Sequence, residues 1–194
     1  IIILMQMNNN LIKQFIEEHS ETVKKFDLSK IDHAVKMMID ALNNDSTIFW
    51  CGNGGSASQA NHLSAELIGG MHKNKINPFN SICLNVDTAF LTAWSNDDSF
   101  ENIFSRQLQA NGKEGDILIG LSTSGNSINI NNAASYANKS GIKVISLTGN
   151  DGGKLKSISD LNINIDSKST QRIQEMHILI GHIICDLIER NYIS

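Results

Sequence analysis

Asp116-Ile117-Leu118-Ile119-Gly120-Leu121-Ser122-Thr123-Ser124-Gly125-Asn126-Ser127 is the stretch that decides how this chain folds. Residues 116–121 form a short apolar run that reads as a buried strand, and a helical pattern follows from about Ile128 to Ser140. Four hydroxyls and two glycines therefore stand where a strand hands over to a helix. The first backbone N–H groups of a helix have no partner inside it, and the helix dipole adds partial positive charge at that end. Such a turn favours an anion, and hydroxyls add neutral donors without filling the space, which suits a phosphate ester. The stretch lacks the Gly-Lys-Ser/Thr ending of a Walker loop and is not a GxGxxG dinucleotide turn. A plain Ser/Gly-rich connection would look similar.

That plainer reading weakens because a second loop of the same kind precedes it. Cys51-Gly52-Asn53-Gly54-Gly55-Ser56-Ala57 follows the strand-like Thr47-Ile48-Phe49-Trp50 and leads into a helical run at about 56–68. Ser56 stands where an N-cap is wanted, and Gly54 and Gly55 let a backbone or ligand come close. Outward from these loops the pattern alternates. Strands are expected at 47–51, 80–85, 116–121, 143–148 and 161–166, with helices at 56–68, 87–94, 99–111 and 127–140. Short strands joined by crossover helices make a doubly wound α/β fold with a mostly parallel five-stranded sheet, whose ligands bind at the carboxyl ends of the strands. A helical pair, from Asn8 to about Lys25 and from Leu28 to Asn43, precedes the sheet, with Asp27 or Ser29 as a cap for the second. A long helix at about Thr170–Arg190 follows it.

The 194 residues suffice for one domain with a sizeable core, and 41% hydrophobic content excludes a disordered chain. Net charge is −4, with no Lys/Arg run and no aromatic–basic stripe, so nucleic acid is not an expected partner. Cys51, Cys83 and Cys185 are widely spaced with no CxxC pair, and read as buried reduced thiols of a cytoplasmic protein. Residues 1–7 read as an added or disordered extension, with initiation at Met5 or Met7. Their apolar run is too short for a signal-peptide core or a membrane span. Residues 8–194 are then a single domain, and no membrane partner is expected.

Polar residues on the flanking helices supply candidates for chemistry. His62 and Glu66 are four apart and share a helix face. They make half of a divalent metal site or an acid–base pair, though an exposed structural pair is the more frequent case. Gln174, His177 and His182 interrupt an otherwise apolar final helix. Gln174 and His182, eight apart, stand about 80° from each other around the axis and could face one site two turns apart. A lone His in such a stretch is more often a satisfied core residue; three polar residues are harder to dismiss. The Asn96-Asp97-Asp98 cluster reads equally as a polar loop with a helix cap.

Taken together, Cys51–Ser56, His62-x-x-x-Glu66-Leu67, Asn96-Asp97, Phe104-Ser105-Arg106-Gln107, Ser122–Ser127, Leu147-Thr148-Gly149-x-Asp151-Gly152-Gly153 and Arg172-Ile173-Gln174-Glu175-x-His177 resemble the phosphoheptose isomerase family of the sugar isomerase (SIS) superfamily. The resemblance runs in order through nearly everything from Asn8 onward, and the combination is specific although each motif alone is not. It implies conversion of sedoheptulose 7-phosphate to D-glycero-D-manno-heptose 7-phosphate through an enediol, for bacterial heptose in lipopolysaccharide or capsule. It implies a homotetramer with active sites between subunits, in which His62, Glu66, Gln174 and His182 converge, often around zinc. Glu66 and His182 would be the acid–base pair. Ser122, Thr123, Ser124 and Ser127 would hold the phosphate, and Asn53, Gly54, Ser56, Asn96, Asp97 and Gln174 would contact the substrate.

One departure stands out. After Glu66-Leu67 the family commonly has a Gly-Arg pair and an aromatic, whereas this chain has Ile68-Gly69-Gly70-Met71-His72. Gly70 replaces an arginine expected near the substrate, with Lys73 or Lys75 as possible substitutes. Two other function classes compete with the isomerase. A non-catalytic SIS relative that binds the replication initiator DnaA lacks the glutamate and the second histidine, both present here as Glu66 and His182. A regulatory sugar-phosphate sensor carries DNA-binding helices for which this chain has no room.

Overall fold

The computed structural model describes residues 2–72 and 77–193. Two helices lead, α1 (Ile2–Lys24) and α2 (Ser29–Asn43). Then come β1 (Ile48–Gly52), α3 (Gly55–Gly69), β2 (Ser81–Cys83), α4 (Thr88–Asp97), a 3-10 turn at Phe100–Asn102 and α5 (Ile103–Asn111). The chain continues through β3 (Ile117–Ser122), α6 (Ile128–Lys139), β4 (Lys143–Gly149), α7 (Gly153–Ser157), β5 (Leu161–Ile165) and α8 (Thr170–Ile193). All strand pairs are parallel and the order is β2-β1-β3-β4-β5. This is the expected doubly wound sheet with its N-terminal helical pair and long C-terminal helix.

The strands read as continuous apolar runs because helices cover both faces. Ile48 and Trp50 point into one layer, with Met38 of α2, Leu63 and Leu67 of α3, and Ile173, Ile180 and Ile184 of α8. Phe49 and Cys51 alternate into the other, with Phe104 and Leu108 of α5 and Ile130 and Ala134 of α6. The three cysteines are free and buried, and loss of hydration pushes the Cys185 thiol up to about 12.

The elements differ from the sequence reading in a few places. α1 begins at Ile2, ahead of the Asn8 expected, and the α4 segment runs on to Asp97. Helix α3 starts at Gly55, so Gly54 (φ +55°) holds the N-cap position and Ser56 lies buried in the first turn instead of capping it. Leu28 is the residue before α2, yet Asp27 Oδ1 still accepts from Ser29 N at 3.0 Å. Helix α7 went unread: five residues are too few to show a helical period. Among the described residues, no helix is long and apolar enough to cross a membrane.

Candidate active site

Strands β1 and β3 are neighbours, and Gly52 stands in register with Leu121. In a sheet of this order the winding reverses between those two strands, and the crevice outside their carboxyl ends is where ligands bind. Both Ser/Gly loops emerge at that point. Sequence neighbours built each loop, but only the sheet brings the two together.

The loop after β3 is held in shape by the loop after β4. At Gly125 (φ +64°) an added Cβ would stand 1.9 Å from the Gly152 carbonyl oxygen, and at Gly153 one would stand 2.5 Å from the Ser124 oxygen. Leu155 N donates to the Gly125 oxygen at 2.9 Å. Asn126 Oδ1 accepts from Lys154 N at 3.1 Å while its Nδ2 donates to the Ser124 oxygen at 3.0 Å. Within the loop, Ser122 Oγ donates to Ser127 Oγ at 3.2 Å, and Ser124 Oγ accepts from Asn126 N at 3.2 Å. Ser127 stands at the N-cap of α6 without making a side-chain cap bond. Ser122 is buried, Thr123 and Ser127 half-buried and Ser124 exposed, so the hydroxyls grade from the floor of the turn to its rim. Across the crevice, the carboxamides of Asn53 and Asn129 pair reciprocally at 2.9 Å in both directions. Asn129 carries no sequence signal of its own, because it is one of four asparagines between 126 and 132 and nothing in the pattern singles it out.

The acid–base candidates meet along the seam between α3 and α8, which run in the same direction. Gln174 lies against Gly55, Gly181 against Leu63 and Glu189 against Gly70. His62 Nε2 and His182 Nε2 are 2.7 Å apart, and His62 Nε2 stands 3.3 Å from Glu66 Oε1. The ligand atoms of His62, Glu66 and His182 all lie within 4.8 Å of one another. A hydrogen bond between two Nε2 atoms needs a lone pair on one ring and N–H on the other. The closest helix approach explains the meeting: a Cβ on Gly181 would fall 2.3 Å from Leu63 Cδ1, so glycine lets the backbones close where residues 62 and 182 flank the contact. A glycine inside an apolar helical pattern was the available sequence signal for this approach.

Two expectations are not met within one chain. Gln174 does not join the triad; its amide packs on Gly55 at the crevice, about 12 Å of helix rise from His182. Asn96 and Asp97 stay exposed in the last turn of α4, where Asn96 Nδ2 donates to Asp97 Oδ1 at 2.8 Å. Among the described residues neither bonds to the two loops. His177 is a core residue. Burial pushes it down to about 4, against the raising effect of a 3.1 Å hydrogen bond to the Thr148 carbonyl, so it is neutral at pH 7.

The family model of the SIS domain matches residues 13–149. A phosphoheptose isomerase of Helicobacter pylori (strain P12) is 45% identical over 189 residues, covering 96% of this chain and 98% of that protein. The chain belongs to the phosphoheptose isomerase family. These are aldose–ketose isomerases. The solved phosphoheptose isomerase of Neisseria gonorrhoeae superposes with a TM-score of 0.87 at 38% identity, over 95% of this chain and 99% of that one. That of Francisella tularensis gives 0.88 at 34%, over 96% and 98%.

Against the phosphoheptose isomerase pattern, the departure at Gly70 has a local cause. Gly70 adopts φ +78° and ψ 148°, a region essentially restricted to glycine. The buried Glu189 carboxylate beside it accepts from Met71 N at 2.5 Å and His72 N at 3.1 Å, and His72 Nε2 lies 2.6 Å from Asp186 Oδ1. An arginine would need a different backbone there. Lys73 and Lys75 lie outside the described residues. The donor set of His62, Glu66 and His182, two imidazoles and a carboxylate, fits zinc.

Proposed function

We propose that this phosphoheptose isomerase interconverts sedoheptulose 7-phosphate and D-glycero-D-manno-heptose 7-phosphate. The observation that carries the reading is the convergence of Glu66 and His182 with His62 on a fold whose switch-point crevice holds four hydroxyls. Ketose-to-aldose conversion removes a proton from C1 and returns one to C2, while O1 and O2 exchange theirs, through an enediol. A carboxylate and an imidazole are suited to these transfers, and Glu66 and His182 take those roles. Their presence favours the enzyme over a non-catalytic SIS relative or a sensor. Ser122, Thr123, Ser124 and Ser127 hold the phosphate, whose binding energy positions the reacting carbons at the other end of the sugar. Asn53, Gly54, Ser56, Asn96 and Asp97 contact the sugar. Zinc, when bound by His62, Glu66 and His182, would polarise the carbonyl oxygens. Zinc analysis of protein purified without chelator checks this, with full activity of verified metal-free protein as the contrary result.

The site is assembled between subunits of a homotetramer. Gln174 lies at the crevice of its own chain, so a role for it as a metal ligand requires a site shared between subunits. On α1, Leu11, Ile12, Phe15 and Ile16 are 47–61% exposed, an apolar face that a second copy would cover. Light scattering at the monomer mass of 21.3 kDa would exclude the assembly. Residues 8–194 act as one SIS domain in the cytoplasm, supplying heptose for lipopolysaccharide or capsule. Buried free thiols are consistent with a reducing compartment. The direct test is incubation of purified protein with sedoheptulose 7-phosphate, with NMR detection of the aldoheptose phosphate. Absence of product would overturn the assignment.

A further inference from the structure

We infer that Asn129 is a positioning residue for substrate: it fixes which way the Asn53 carboxamide presents its donor and its acceptor to the sugar. The inference rests on the reading that Asn53 contacts the substrate.

The two carboxamides form a closed pair. Asn53 Nδ2 donates to Asn129 Oδ1, and Asn129 Nδ2 donates to Asn53 Oδ1, both at 2.9 Å. Such a pair has two orientations that differ only by turning both amides over. A third bond removes the choice. The backbone N–H of Ile130 donates to Asn129 Oδ1 at 3.0 Å, and a backbone donor faces oxygen, never an NH₂. The oxygen of Asn129 is thereby pinned by the first turn of α6, and Asn53 must answer with its nitrogen on that side. Asn129 is 3% exposed, so water has little access with which to loosen the arrangement. Asn53 is half-buried at the mouth of the loop after β1, with one N–H and one oxygen lone pair left after pairing. A donor and an acceptor held in a known order match a sugar hydroxyl, which both gives and takes a hydrogen bond. The same pair ties the loop after β1 to the helix that springs from the phosphate loop, so the sugar contact and the phosphate contact keep a set separation across the switch point.

Asn129→Asp keeps shape and the bond from Ile130 N, but sets a carboxylate oxygen against Asn53 Oδ1, so Asn53 loses its order. Asn129→Ala removes the partner without adding charge. Turnover of sedoheptulose 7-phosphate is measured for both variants, for Asn53→Ala, and for Asn129→Ala combined with Asn53→Ala. Inhibition by inorganic phosphate and thermal midpoints are measured beside them. Each Asn129 variant is expected to lower kcat/KM by about tenfold or more, the size of a lost or misdirected polar contact. Adding Asn129→Ala to Asn53→Ala is expected to change kcat/KM less than about twofold, because a residue acting through another has nothing left to act on. Phosphate inhibition stays the same in Asn129→Ala, which a general collapse of the crevice would not allow. Undiminished turnover in both Asn129 variants overturns the inference, as does a full additional loss in the double variant. If Asn53→Ala itself turns over normally, the sugar-contact reading of Asn53 fails and takes the inference with it; impaired Asn53→Ala with normal Asn129 variants sinks the inference alone.

Discussion

The crevice between β1 and β3 and the seam between α3 and α8 are built on different physical terms. In the crevice several polar side chains are already mated to one another or to the backbone. Asn53 with Asn129, Asn126 with Lys154 and Ser124, and Ser122 with Ser127 hold the backbone ready before any ligand arrives. The seam offers three side chains from two helices, with His62 48% exposed, and depends on one glycine for its closeness. A phosphate is the same in every sugar phosphate, so a rigid frame of backbone and short hydroxyls serves it. Proton transfer needs side chains that can change protonation, and these stand on a more open surface. Damage to the seam should therefore stop chemistry, whereas damage to the crevice should weaken binding.

The sharpest break of this comparison is at the seam. Glu66→Gln and, separately, His182→Gln are expected to lower kcat by at least about two orders of magnitude while leaving the thermal midpoint near that of the parent. Each change is nearly isosteric, and neither group is deeply buried. Near-normal turnover in either variant would remove that residue from the mechanism.

Gly181→Ala should act on the same chemistry from behind. The added methyl meets the fully buried Leu63, and overpacking of this kind costs about 1–3 kcal/mol. Stability and turnover should both fall as the helices move apart. Gly69→Ala is the control, since nothing lies within 4 Å of its Cβ position. Equal melting behaviour of the two variants would show that Gly181 does not set the helix approach.

In the crevice, Ser124→Ala is expected to raise KM for the phosphorylated heptulose roughly tenfold, the scale of one hydroxyl bonded to a charged oxygen. Use of unphosphorylated sedoheptulose, already poor, should change little. If both substrates weaken equally, Ser124 serves only to accept from Asn126 N and the loop is not reading the phosphate.

The smallest effect concerns His177, in neither region. Its native pKa of about 4 lies below the ordinary value of 6.5, so the unfolded chain takes up the proton first. The stabilisation is complete above the ordinary value and is lost as pH falls from there through about 4. His177→Leu should therefore lose less stability than the parent between pH 7 and pH 5 (denaturant midpoints at the two values decide). Parallel declines would show that the ring is not held neutral.

The two regions were not equally legible. Strands 47–51 and 116–121 each carried their loop with them, because strand, turn and helix cap lie within a dozen residues and local chemistry governs them. The seam was visible only as fragments. His62 and Glu66 share a face by helical spacing, but nothing in that spacing says that His182, 120 residues later, completes it. Gln174 and His182 stand two turns apart on one helix, and that rise puts the first at the crevice and the second at the seam. Ser56 is not the cap because Gly54 takes the positive φ that starts the helix two residues sooner.

What the sequence by itself determined is whatever short-range patterning dictates: five short apolar strands, the helices between them, and two polar turns at strand ends suited to an anion. What only tertiary structure decided is which of these meet. The order β2-β1-β3 makes neighbours of two loops about seventy residues apart. Packing of α8 on α3 at Gly181 brings His182 to His62 and Glu66. The physical reason is that hydrogen bonds along a helix or turn are local and recur with the chain's own period, whereas contacts between elements depend on the shapes of surfaces formed only after those elements exist.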